Sequence, residues 1–244
     1  MDRNPSAEPA ERFALTFDDG PGAATEAILD LLVEARVRAT FFIVGRHFQE
    51  GASEGPGAES ARRLLLRALR DGHCVGNHSY SHKLKHRSPG EFAADVRKCD
   101  DVIRDARREA GQEIGAPIPF RLPYGIKFNE IAVSAGAGLD NVASALDARI
   151  PVLGSLGRSH VHWTSLPGDW LLESEVQGQA LALRMGEHVT ETARHGLAAV
   201  FCLHDGAVEP RAAPAGSGVA TVAAVRDFLG IAARSGWESF TVPR

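Results

Sequence analysis

Two adjacent carboxylates, Asp18 and Asp19, stand in "ALTFDDGPG", residues 14–22, between an apolar run and a Gly-Pro-Gly turn. A solvated turn accounts for such a pair without any chemistry, because Asp and Gly both favour turns. The other reading is that adjacent residues leaving a strand point in different directions, so that one carboxylate could hold a metal while the other handles a proton. That reading needs partners elsewhere in the chain. "NHSYSH" sets His78 and His82 four residues apart; such a pair is either two unrelated surface histidines or, on one helical turn, a shared face that grips one metal ion. "FRLPYG" brings Arg121 to a Pro-Tyr-Gly turn, "LPGDW" carries Asp169 and Trp170, and "FCLHDG" ends in His204 and Asp205. Each cluster is weak alone, but all five follow predicted strands, where parallel βα architectures place their active sites.

The elements that must position these residues alternate. "RFALTF" precedes the helical "ATEAILDLLVEARV"; "ATFFIVG" precedes "ESARRLLLRALRDG"; "HCVGNHSY" precedes "SPGEFAADVRKCDDVIRDARREAG". "IPFRLPYG", the stretch around "VHWTSLP", "LAAVFCLHDG", the helical "GVATVAAVRDFLGIAARSG" and a last strand "WESFTVP" continue the rhythm. Repeated βα units predict a parallel sheet with helices outside, open or closed into a barrel. Ser88, Pro89 and Glu91 form a helix start signal, and Phe92, Val96, Cys99, Val102 and Ile103 follow at helical spacing, which puts Cys99 in the core. Residues 49–59 read as an exposed Gly-rich loop, and the less periodic residues 138–160 as a candidate substrate-contacting segment.

The chain has 244 residues, 44% hydrophobic and 24% charged, which suits one large globular domain spanning 1–244. A formal charge of -4 gives no reason to expect a nucleic-acid or membrane-surface partner. Cys74, Cys99 and Cys202 are an odd count without a C-x-x-C, so reduced thiols are expected. The amino terminus lacks a basic patch followed by an apolar run, and no stretch approaches 18 apolar residues, so the expected location is the cytoplasm. Sequence sets no oligomeric state. His47, His73, His86, His188 and His195 lie away from the motifs and read as surface or packing residues, while His160 and His162 flank the fourth motif as candidate substrate contacts.

Taken in order, "TFDDGP", "HSYSH", "RLPYG", "LPGDW" and "CLHD" resemble the five motifs of the polysaccharide deacetylase family, the NodB homology domain of carbohydrate esterase family 4, across residues 13–206. The resemblance implies an irregular (β/α) barrel, usually of seven strands, and one divalent metal, with zinc the expected ion and cobalt also suited. By the same resemblance Asp19, His78 and His82 are the metal ligands, Asp18 the general base toward water, and His204 the catalytic acid. Tyr124 supplies a backbone N–H to the oxyanion. Arg121 and Asp169, in contact with one another, position and tune the two proton-transfer groups, with Trp170 packed beside them. Two positions depart from the family pattern: Leu166 replaces a second acid, and Cys202 stands where a Leu commonly lines the acetyl pocket. The implied activity is removal of an N-acetyl group from an amino sugar, such as an N-acetylglucosamine oligomer or a glycoconjugate precursor. An amidohydrolase acting on non-carbohydrate amides or cyclic imides, and an inactive sugar-binding module, are the alternatives.

Overall fold

The computed structural model describes residues 10–52, 55–125, 147–206 and 216–242. Strand β1 (Arg12–Gly20) lies at the centre of a parallel sheet, between β2 (Thr40–Ile43) and β4 (Ala199–His204), with β3 (Cys74–Asn77) beyond β2. A two-residue strand, β5 (Glu238–Ser239), pairs with the start of β1. Phe13, Ala14, Leu15 and Phe17 are all buried although their side chains alternate between the two faces, as expected for a parallel strand covered on both sides.

Two further segments close the sheet. Phe120 bridges Asn77 on one side and His160 on the other, and Ser165 bridges Phe201 of β4. Arg121 N–H donates to Asn77 O at 3.0 Å, Val161 N–H to Phe120 O at 2.8 Å, and Cys202 N–H to Ser165 O at 3.0 Å. These segments therefore join β3 to β4, and the sheet is an irregular (β/α) barrel. The expected strands "IPFRLPYG" and "VHWTSLP" are held by single bridges instead of ladders, because Pro119, Pro123 and Pro167 withhold donors from them.

Helices α1 (Thr25–Ala35), α2 (Ala58–Arg70), α3 (Pro89–Glu109), α5 (Glu175–Arg194) and α6 (Ser217–Ser235) cover the barrel, with a short α4 (Arg149–Ser155) near the 119–122 segment. Ser88 Oγ accepts the Glu91 N–H at 3.1 Å, as its sequence signal predicts, and Cys99 is buried in the core. Helix α5 is additional to the expected elements; its capping box, Ser174 with Gln177, marks its start. At Gly178 a Cβ would run into the Ala220 carbonyl of α6, so glycine permits the two helices to touch backbone to backbone. Phe228 of α6 meets Phe13 and Phe201 edge to face at 5.0 and 5.3 Å, under the middle of the sheet; fully burying each such side chain contributes ~1.5–3 kcal/mol. All three cysteines are unpaired. Among the described residues no helix is long and apolar enough to cross a membrane.

Candidate active site

A bulge in β1 separates the directions of Asp18 and Asp19. The β1–β2 register pairs Asp18 with Phe42 but Gly20 with Ile43, leaving Asp19 as an extra residue with φ 71°. A bulge re-aims one side chain, and Asp tolerates the left-handed region better than most residues. On the other side of β1, Asp18 is in register with His204 of β4.

Asp19, His78 and His82 offer three ligand atoms within 4.8 Å of one another. The two Nε2 atoms lie 3.4 and 3.1 Å from Asp19 Oδ1, yet neither is aligned to donate to it, and that buried oxygen has no hydrogen-bond partner among the described residues. His78 Nδ1 faces the Arg121 carbonyl at 2.9 Å, an acceptor that fixes the proton on Nδ1 and turns the Nε2 lone pair toward Asp19. Unpaired lone pairs converging in a buried place fit a divalent cation. Were the imidazoles to donate from Nε2 instead, they would outweigh burial and hold the Asp19 carboxyl well below its ordinary value.

The expected helical turn between the histidines is instead a loop with Ser79 at φ 66° and His82 at φ 52°. Its hydrogen bonds explain why. Asn77 Oδ1 accepts from Ser79 N–H at 2.7 Å, Ser79 Oγ accepts from His82 N–H at 3.0 Å, and Asp95 Oδ2 accepts from the Tyr80 and Ser81 N–H groups at 3.2 and 3.3 Å. Asn77 is anchored in turn by Val96 O at 2.8 Å and Asp100 Oδ1 at 2.7 Å.

Asp18 is buried beside this loop. Its Oδ1 accepts from Arg121 Nη1 at 2.8 Å, and its Oδ2 lies 3.3 Å from the Cys202 thiol and 3.7 Å from His78 Nε2. Burial would raise the Asp18 carboxyl; Arg121 first, then His78 and His204, outweigh it and hold it below the ordinary value. Arg121 is itself fully buried, sandwiched near Phe42 and Trp163, and donates to Thr16 Oγ1 at 2.6 Å and Val161 O at 3.1 Å.

His204 has its own carboxylate. Asp169 Oδ1 lies 3.0 Å from His204 Nδ1, and its Oδ2 accepts from the His204 N–H at 2.9 Å and from Thr221 Oγ1 at 2.8 Å. Burial disfavours the imidazolium, yet the Asp169 charge and hydrogen bond, with Asp19 and Asp18 behind it, push it up to about 9. The Trp170 ring meets His204 edge-on at 4.6 Å.

A model of the polysaccharide deacetylase family matches residues 6–142. A chitooligosaccharide deacetylase from Bradyrhizobium sp. (strain ANU 289) is 30% identical over 239 residues, 94% of this chain and 88% of that protein. The chain belongs to the polysaccharide deacetylase family. It is also 34% identical over 134 residues to a peptidoglycan N-acetylglucosamine deacetylase from Listeria monocytogenes, a match covering 54% of this chain and 25% of that longer protein. In fold it is similar to the catalytic domain of a peptidoglycan N-acetylglucosamine deacetylase from Eubacterium rectale, with a TM-score of 0.64 at 22% identity over 98% of this chain and 90% of that one. It is likewise similar to a family 4 acetyl xylan esterase from Clostridium thermocellum in complex with a cobalt ion, with a TM-score of 0.63 at 23% identity over 95% and 88%.

In the structure the residues singled out from sequence come together, with one correction. Asp169 makes no hydrogen bond or ion pair with Arg121: Arg121 serves Asp18 and Asp169 serves His204. The half-exposed Tyr124, with φ 61°, sits on a turn whose flanking carbonyls, Pro123 O and Gly125 O, both accept from Arg149 at 2.9 Å. Arg149 lies in the irregular 138–160 segment and carries no local signal of this role; residues 138–146 lie outside the described residues. Thr221, reaching Asp169 from α6, was equally invisible. His160 is a structural residue: its Nδ1 accepts the Leu122 N–H at 3.0 Å, and burial, with the charges of His162 and Arg121, pushes it down to about 3. His162 is exposed and stacks edge-on against it at 4.5 Å.

Proposed function

We propose that the chain is a metal-dependent hydrolase that removes N-acetyl groups from amino sugars in N-acetylglucosamine-containing oligosaccharides or glycoconjugate precursors. The observation that carries this reading is the placement of Asp18, held by Arg121, in register across β1 and β4 with the half-buried His204, held by Asp169. Hydrolysis of an amide needs a base for the attacking water and an acid for the leaving amine; Arg121 lowers the Asp18 carboxyl and Asp169 raises the His204 imidazole, which suits the pair to those two roles. The relatives named as a chitooligosaccharide deacetylase and a peptidoglycan N-acetylglucosamine deacetylase support the substrate class.

Asp19, His78 and His82 would hold the ion, zinc by preference and cobalt as a substitute. A divalent ion so held polarises the substrate carbonyl and makes water more acidic. Asp18 Oδ2 takes the proton from the attacking water while Arg121 keeps Oδ1 fixed. The Tyr124 N–H, on a turn clamped by Arg149, would donate to the developing oxyanion; one such donor contributes about 3 kcal/mol. His204, oriented by Asp169, gives its proton to the departing amine nitrogen. Trp170 and Cys202 bound the space for the acyl group and sugar.

The test is acetate release from chitooligosaccharides by the purified chain, after chelation and again with zinc or cobalt restored. Release that disappears on chelation and returns with metal is the expected result. Stoichiometric metal binding without acetate release from any N-acetyl sugar would overturn the substrate assignment.

A further inference from the structure

Behind the three proposed metal ligands lies a second set that shares none of them. Asp18, Cys202 and His204 present a carboxylate oxygen, a thiol sulfur and an imidazole nitrogen within 4.8 Å of one another, all from the ends of the neighbouring strands β1 and β4. We propose that this set is a second, lower-affinity site for a thiophilic divalent cation, and that its filling by excess zinc silences the enzyme.

The geometry suits a cation. Cys202 Sγ lies 3.3 Å from Asp18 Oδ2, close to the ligand-to-ligand separation expected when oxygen at about 2.0 Å and sulfur at about 2.3 Å share one tetrahedral ion. His204 Nδ1 is taken by Asp169, which leaves Nε2 as the ring nitrogen free to turn to an ion, and the Asp169 contact is the carboxylate support that ligating histidines commonly have. Arg121 holds Asp18 by Oδ1, so Oδ2 is the ligand atom. A thiolate beside an imidazole and a carboxylate favours zinc, cobalt or cadmium over magnesium or calcium. A leucine at residue 202 would leave only two ligands.

The charge balances. An entering dication displaces one proton from the Cys202 thiol and one from the His204 imidazolium, so the net charge next to Arg121 does not change. The Cys202 thiol donates to Asp18 Oδ2 at 3.3 Å, and that hydrogen bond and its proton must be given up before sulfur and oxygen can bind an ion. The site therefore fills after the Asp19, His78 and His82 set, where the Asp19 Oδ1 has no hydrogen bond to give up among the described residues. Silencing rests on the proposed function, since it follows from occupying the base and the acid together; binding does not.

The experiment is a stepwise cobalt titration of the metal-free full chain, followed by absorption. The first equivalent should give ligand-field bands alone, since the Asp19, His78 and His82 set contains no sulfur. Further cobalt should add a near-ultraviolet thiolate-to-cobalt charge-transfer band that is lost in Cys202→Ala and Cys202→Ser and kept in Cys74→Ala. No such band in the unsubstituted chain at saturating cobalt, or a band surviving Cys202→Ala, would overturn the site. In parallel, Cys202→Ala should need at least about tenfold more zinc for half-inhibition, relative to its own uninhibited rate; equal sensitivity would overturn the silencing. If no sugar is deacetylated, the functional reading fails, while the cobalt band still decides the site.

Discussion

Asp18 and Asp205 leave adjacent parallel strands and are both buried, but they lie on opposite sides of the ordinary carboxylate range. Asp18 faces the Arg121 guanidinium at 2.8 Å and is held low. Asp205 has the Thr25 hydroxyl at 2.5 Å for its Oδ2 and no partner among the described residues for Oδ1; burial first, then the Asp19 and Asp18 charges, push it up to about 7 despite that hydrogen bond. Burial is common to both, so it does not decide the charge state: the nearest full charge does.

The sharpest way to break this contrast is Asp18→Asn, which keeps the shape and removes the base. It should lower kcat/KM by about 10²–10⁴-fold while metal content, measured by elemental analysis, stays unchanged. A near-native rate would place the base elsewhere. Asp205→Asn mimics the protonated acid and should act on stability instead. For the metal-free protein the sign is set by the raised folded value: stability is fully present below the unfolded carboxyl value near ~4 and is lost as pH rises through about 7. Denaturant unfolding should therefore show the variant gaining on the unsubstituted chain across that window, by a few kcal/mol at most. A pH-independent difference would mean that Asp205 is ionised throughout.

Asp169→Asn tests whether the charge rule extends to the acid. Without Asp169, burial is unopposed by its nearest anion and the His204 imidazolium falls from about 9. The acid must be protonated to act, so the alkaline limb of the rate profile should move to lower pH, with activity near pH ~8 down by about tenfold. An unmoved limb would assign it to another group. Trp170→Leu removes only the edge contact to the same imidazole at 4.6 Å, and should cost about 1 kcal/mol, or several-fold in kcat/KM, with the limb unchanged.

Sequence carried the fold and the membership of the site further than its wiring. Strand ends could be read from apolar runs, and because parallel strands share a direction, clusters at those ends had to meet. Ser88 announced its helix because a cap is a contact between residues three apart. The partner of Asp169 was not legible, since Arg121 and His204 are both 35 or more residues distant and only the closed barrel brings one to it. The Cys202 thiol against Asp18, and Arg149 under the Tyr124 turn, are contacts of the same long-range kind. The His78–His82 spacing suggested a helix because four residues also fit one turn; Asn77, Ser79 and Asp95 offered the backbone other partners, and the loop formed instead.

The bulge at Asp19 has a further meaning for inheritance. Up to Asp18 the chain keeps step with β2, and after Asp19 it is one residue out of step. Deleting either Asp18 or Asp19 would restore the step and leave one carboxylate for two duties, whereas exchanging side chains leaves the offset intact. The division of labour between neighbouring aspartates is thus written in the spacing of the backbone, and a one-codon deletion there should be less tolerated than most substitutions around it.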